Sequence, residues 1–344
     1  MERATTDRAP DAAAGGWARL WWWARIALVL ALLAGLVWVA RPDQLWHQLR
    51  EAKYLWALAA IPFAFAGTMA DALRLYWLMK PVGYRGGFAA VANTNLVVNA
   101  VSLFLPGTIG GGAVAWYRLS SPDGLRAQTA VALSLNMALK FAAVCGVSAL
   151  ALALDAGASG DSRGWILPLA LMAAMPLAAL GAMLWTPLPV RLREFHEARM
   201  RRWVPARAHE IARKLLESFE QYRASRRAVW AAFGAGVFRL IVVNVASLFC
   251  VWAVGLEMSY LRVMWITGAM EVAGMIPFTL AGWGLPQVTY VGLMALCGVA
   301  ADQALASHVL TWVACMPIYL AGVAVLTAES LGKANGQRRM TDGR

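Results

Sequence analysis

Acid is what this sequence is short of: 19 Asp and Glu stand against 31 Lys and Arg, and only 15% of its 344 residues are charged. Soluble domains carry about 25% charged residues, so a chain this poor in charge and 60% hydrophobic is not an ordinary water-soluble globule. Cysteine is scarce too. Cys145, Cys250, Cys297 and Cys315 all fall in apolar stretches, at separations that match no zinc or redox pattern, so neither disulfide nor metal is expected. The four histidines form no His-x-x-x-His pair, and no Walker A or GxSxG motif occurs. No cofactor and no enzymatic activity are expected.

What the chain has instead is long apolar runs. Several approach or exceed the ~20 residues that cross a bilayer, which makes this a multi-pass membrane protein. Spans are expected at about 24–40, 54–79, 127–155, 165–186, 229–256 and 304–328, with a short interfacial helix at 43–52. The first is flanked by Arg19 and Arg25, and Trp38 occupies the −3 position of its one obvious cleavage site. It therefore reads as a retained helix rather than a signal peptide.

The cationic excess, net +12, lies between the spans, where cytoplasmic loops gather Lys and Arg. Nucleic acid is accordingly not an expected partner. Segment 187–228 alone carries eleven Arg and Lys against five Glu, with Ile211, Leu215, Phe219 and Tyr222 at helical spacing. It is either an amphipathic helix on the anionic membrane surface or a solvated connector. Residues 1–23 and 329–344 are expected as cytoplasmic ends of a membrane domain at 24–328. The loop following Asp155 belongs outside.

Two stretches break the pattern: LPGTIGGG (Leu105–Gly112) within 87–117, and IPFTLAGWGLPQ (Ile276–Gln287) within 262–300. Gly costs about 1 kcal/mol and Pro about 3 in a helix interior, and a bilayer offers no water to broken backbone. Charge asymmetry puts both flanks of the first stretch inside and both flanks of the second outside. They read as opposed re-entrant hairpins, the sequence pointer to a transporter's substrate site, or as ordinary helix pairs with glycine turns. The expected fold is all-α and polytopic: about six transmembrane helices plus two opposed hairpins in an inverted pseudo-repeat.

Polar residues at membrane depth cost a few kcal/mol each unless paired or wet. Lys140 and Arg239 stand about ten residues inside their spans, and Glu271 leads into the second break. Lys140 and Glu271 are either a structural pair or, with Arg239 and Arg118, part of a cavity that compensates a lipid phosphate. Arg suits bidentate phosphate contact, and Lys acts as a point charge. Asn95 and Asn99 lie one turn apart, as do Asn136 and Lys140. Gly107, Gly110, Gly111, Gly282 and Gly284 either offer backbone N–H groups and a positive helix end to an anion or permit close helix crossing. Asp71 and Arg74, at i,i+3 spacing, read as a local pair near the interface.

The stretches LPGTIGGGAVAWYRLS (Leu105–Ser120), MIPFTLAGWGLPQ (Met275–Gln287) and LCGVAADQALASHVLTW (Leu296–Trp312) resemble the lysylphosphatidylglycerol synthase transmembrane-region family, over roughly 20–330. The family often has Gly-Gly-Asp-x-x-Arg, where this chain has Gly112 and Ala115 in place of the acid and the arginine. Arg118 is consistent with a further basic residue of that pattern. Gln287 stands where Glu is usual, and Asn136 and Met137 where an Asp-Arg pair is common. The resemblance implies translocation of an anionic, headgroup-modified or lipid-linked substrate between leaflets. The synthase domain that full-length relatives carry after the membrane part is not expected in the short tail. The alternative is an accessory subunit that presents a polyprenyl-phosphate or other lipid to a glycosyltransferase. Expected partners are the phospholipid or lipid-linked substrate, the anionic membrane surface, and a second copy or a lipid-modifying enzyme.

Overall fold

The computed structural model describes residues 34–36, 38–39, 41–103, 107–120, 124–159, 178, 220–275 and 284–342. The expected spans at 24–40 and 165–186 lie almost wholly outside these residues, as does most of segment 187–228.

Every described element is helical. A short helix, α1 (Pro42–Glu51), precedes α2 (Tyr54–Met79), α3 (Phe88–Ser102), α4 (Gly107–Ser120) and α5 (Arg126–Ser159). The second half gives α6 (Arg226–Ala253), α7 (Tyr260–Met275), α8 (Leu285–Leu296) and α9 (Ala301–Asp342). Four of these, α2, α5, α6 and α9, are long and apolar enough to cross a membrane. They match four of the expected spans.

The sequence of lengths is long, short, short, long, given twice. The short helices hold 15, 14, 16 and 12 residues, below the ~20 needed to cross. Packing repeats with them: α2 lies on α6, α3 packs on α9 as α7 packs on α5, and α2 meets α9 as α6 meets α5. The equivalent helices α2 and α6 run antiparallel. At one end the Lys53 N–H donates to the Ala253 carbonyl at 2.8 Å. Farther along, Phe63 meets Phe249 edge-on at 5.4 Å. At the other end Tyr222, just before α6, donates to the Leu78 carbonyl at 2.7 Å. The second unit is therefore inverted relative to the first. Burial pushes the Tyr222 phenol above its ordinary ionisation range, so it stays the donor that ties this turn to α2.

Small residues set the helix spacing. A Cβ at Gly67 would collide with Val243 of α6, and one at Gly322 with the Leu96 carbonyl of α3. Such close approach lets dispersion contacts accumulate where lipid supplies no hydrophobic drive between helices.

Both interruptions are shorter than the sequence suggests. Gly107–Gly112 are not a break but the first turns of α4. Gly111 faces α3, where a Cβ would stand 2.6 Å from Ser102 Oγ and 3.1 Å from Val98. Close packing of this kind, and the lack of water for unpaired backbone, outweigh the ~1 kcal/mol propensity cost of a glycine. In the second stretch, helix resumes at Leu285 with Pro286 in its first turn, where a missing N–H costs nothing. The last helix runs on through 329–342, rather than ending at 328.

Candidate functional site

α2 and α6 bring four charged or amide-bearing helices together at one level. On α2, Asp71 and Arg74 share a face and form an ion pair at 2.9 Å. Opposite them on α6, Arg239 donates from Nε to Asp71 Oδ2 at 2.8 Å. Its Nη1 reaches Glu271 of α7, at 3.0 and 3.1 Å from the two carboxylate oxygens. Lys140 of α5 closes the array, its Nζ 3.7 Å from Glu271 Oε2. Asn136, one turn earlier on α5, accepts from Arg74 Nε at 2.7 Å.

One glycine of α6 makes room for this. Gly236 lies under the Arg74 side chain, with 3.3 Å between its would-be Cβ and Arg74 Cδ. Thr267 of α7 donates to Asn244 of α6 one turn from the ions, fixing α7 against α6.

Three cations and two carboxylates leave the cluster one positive charge in excess. Arg74 is committed to Asp71 and Asn136, and its side chain is 4% exposed. Arg239 is shared between both carboxylates and is 13% exposed. Lys140 differs on both counts. It is 28% exposed, makes its one ionic contact at 3.7 Å, and has no hydrogen-bond acceptor among the described residues. An ammonium has three donors, so Lys140 is the cation with capacity to spare.

The structure thus gathers Lys140, Arg239, Glu271 and Asn136, and adds Asp71 and Arg74. Sequence spacing treats Asp71 and Arg74 as a local pair, because the second partner of Asp71, Arg239, stands 168 residues away. Opposite charges one turn apart inside an apolar span were the signal available.

Other candidates are engaged elsewhere. Arg118, at the end of α4, makes a two-pronged contact with Glu329 of α9 at 2.6 and 2.8 Å, and its Nε is 3.5 Å from Thr94. It has no ion pair with the cluster. Asn95 donates to the Thr68 carbonyl and Asn99 to the Asn95 carbonyl, both at 2.9 Å, so both serve backbone. Gly107, Gly110 and Gly111 lie in the first turns of α4, and Gly111 fits the close-crossing reading. Gly282 lies outside the described residues. Gly284 precedes α8 with φ 116°, a conformation that favours glycine. Its N–H donates to Gln287 Oε1 at 2.7 Å, so Gln287 caps its own helix while its Nε2 lies 3.2 Å from His308 Nε2 of α9.

A second ionic contact went unread in the sequence. Asp155 near the end of α5 receives Arg262 Nε at 3.1 Å, and Ser259 Oγ and Trp265 Nε1 each at 3.2 Å. It pins the start of α7 to α5, as Arg118–Glu329 pins the end of α4 to α9. Asp155 sits near the end of α5, and Glu329 near the end of the apolar span of the equivalent helix α9.

The family model described as Lysylphosphatidylglycerol synthase TM region matches residues 22–322, most of the chain. Comparison with curated proteins gives no match.

Proposed function

This chain belongs to the lysylphosphatidylglycerol synthase transmembrane-region family, and from that membership we propose that it carries an anionic, headgroup-modified or lipid-linked substrate across the cytoplasmic membrane. The observation that carries the reading is the buried ion cluster with one positive charge in excess. An anion entering a neutral apolar interior loses hydration that nothing repays. Here a phosphate meets a surplus cation and the spare donors of Lys140. Glu271 and Asp71 hold Arg239 in place, and Asn136 holds Arg74. The short pairs α3/α4 and α7/α8 act as hairpins that enter from opposite faces, with both chain termini on the cytoplasmic side.

The test is reconstitution. Liposomes containing the protein should lose leaflet asymmetry of a fluorescent anionic phospholipid faster than empty vesicles, and Lys140→Gln should remove most of that gain. Rates equal to those of empty vesicles, across anionic, zwitterionic and polyprenyl-phosphate probes, would defeat translocation and favour a lipid-presenting subunit.

A further inference from the structure

A second anion-seeking feature lies apart from the cluster, where α2 ends and α6 begins. A cleft of about 860 Å³ is lined by Trp77, Lys80 and Pro81 on one side and by Arg223–Ala228 on the other. Four of these residues are cationic and none is acidic. The nearest described acid in sequence is Glu220, one turn before Arg223. Lys80, Arg223 and Arg227 make no ion pair or hydrogen bond through their side chains among the described residues, and Arg226 adds its charge. The Lys80 ammonium stands 4.7 Å from the ring centroids of both Tyr76 and Trp77, so it is held at the cleft rather than trailing in solvent.

The rest of the frame is rigid. Tyr222 is fully buried and bonded to the Leu78 carbonyl. The turn at Ser225 is fixed by its N–H to the Gln221 carbonyl at 2.9 Å. Ser225 caps α6 without a side-chain hydrogen bond, and Ser225–Ala228 line the cleft, so the positive end of the helix lies at the same space.

We infer that this cleft binds the phosphate headgroup of an anionic phospholipid, seating it between the end of α2 and the turn before α6. Its level in the bilayer argues for a lipid over a free anion. Two apolar spans change to polar sequence here, at Met79 and Arg226, and Trp77 is the aromatic type that settles at the membrane–water boundary. The site is separate from the ion cluster. Asp71 lies six residues deeper than Trp77, about 9 Å along the helix, and Leu75 and Val229, buried in the core that also holds Leu78, Met79 and Tyr222, lie between the two levels along their helices. A bound headgroup would neutralise mutually repelling cations and hold the two helix ends together.

The experiment is thermal unfolding of the purified full chain in detergent, with added phosphatidylglycerol, phosphatidylcholine or inorganic phosphate. Phosphatidylglycerol should raise the midpoint by a few degrees, with little effect from the other two. The variant Lys80→Gln/Arg223→Gln/Arg227→Gln should unfold at the wild-type temperature in phosphatidylcholine and lose at least half of the phosphatidylglycerol shift. An undiminished shift in that variant overturns the proposal. So does an equal shift with phosphatidylcholine, or with phosphate alone. A shift that survives in the cleft variant but vanishes in Lys140→Gln would place the anion at the deep cluster instead, leaving the translocation reading standing while this one falls. Should the triple variant not fold, a photoactivatable phosphatidylglycerol on the wild-type protein decides the matter. Adducts on peptides covering 77–81 or 223–228 support the site, and their absence there refutes it.

Discussion

The Arg239 guanidinium donates to Asp71 Oδ2 at 2.8 Å, and this bond joins the two inverted halves of the molecule near the middle of their longest shared seam. The same guanidinium also holds Glu271. One side chain therefore serves two partly buried carboxylates, and most of the site's geometry depends on it.

Removing that guanidinium should be costly. Arg239→Ala leaves Asp71 and Glu271 without their main partner, and breaking a buried pair costs about 3–5 kcal/mol. Unfolding in denaturant should show a loss of that size, with Arg239→Lys between it and wild type because a lysine cannot span both acids. A loss under about 1 kcal/mol would mean that the network relaxes easily and that the residues are not mutually dependent.

Lys140 should behave in the opposite way. Its one ionic contact among the described residues, at 3.7 Å, contributes little to folding, so Lys140→Gln should unfold close to wild type. Lipid transfer should drop at least about tenfold, equivalent to roughly 1.4 kcal/mol. Lys140→Arg should keep part of the rate. Equal losses of stability and transfer would make Lys140 a structural partner of Glu271.

The Arg118–Glu329 pair is short but more open, with side chains 20% and 41% exposed. Exposed pairs are worth about 0–1 kcal/mol. A double-mutant cycle with Arg118→Ala and Glu329→Ala should therefore give a coupling below about 1 kcal/mol. A coupling as large as that between Arg239 and Asp71 would contradict this.

Glycine substitutions separate packing from propensity. Gly322→Ala drives a methyl into the Leu96 carbonyl, whereas Gly234 has open space around it. Overpacking costs about 1–3 kcal/mol. Gly322→Ala should thus lower the unfolding midpoint, and Gly234→Ala should leave it unchanged or raise it.

Topology is checked by labelling single cysteines in a background cleared of the four native ones. Arg85→Cys should react from the cytoplasmic side and Glu257→Cys from the opposite side. Reaction of both from one side would rule out the inverted arrangement of the hairpins.

How far these features could be read in advance depended on their range. The boundaries of α2 were legible to the residue, because an apolar run between Lys53 and Lys80 is a local property. For Gly107–Gly112 the sequence leaves an anion-binding break and a close helix crossing both open, and the contact of Gly111 with α3, which no local pattern encodes, favours the second. The amphipathic segment 187–228 lies mostly beyond the described residues, and only its end at Tyr222 can be compared. Lys140, Arg239 and Glu271 were legible as costly residues at depth. That Arg118 belongs to Glu329, and that Asp71 belongs to Arg239, depends on pairings across 211 and 168 residues. Gln287 stood out only as a departure from the family pattern, and its position as the cap of α8 explains it locally.

The cluster also constrains how the chain can be made. A helix emerging from the ribosome carrying Asp71 and Arg74 brings its own counter-charge, because the two pair one turn apart. Lys140 does not. Its carboxylate partner, Glu271, is synthesised 131 residues later, so α5 enters the bilayer with an ammonium whose protein counter-ion does not yet exist. Until then the first half of the cluster holds two cations, Arg74 and Lys140, against the one carboxylate of Asp71, and the second half supplies the balancing Glu271 together with Arg239.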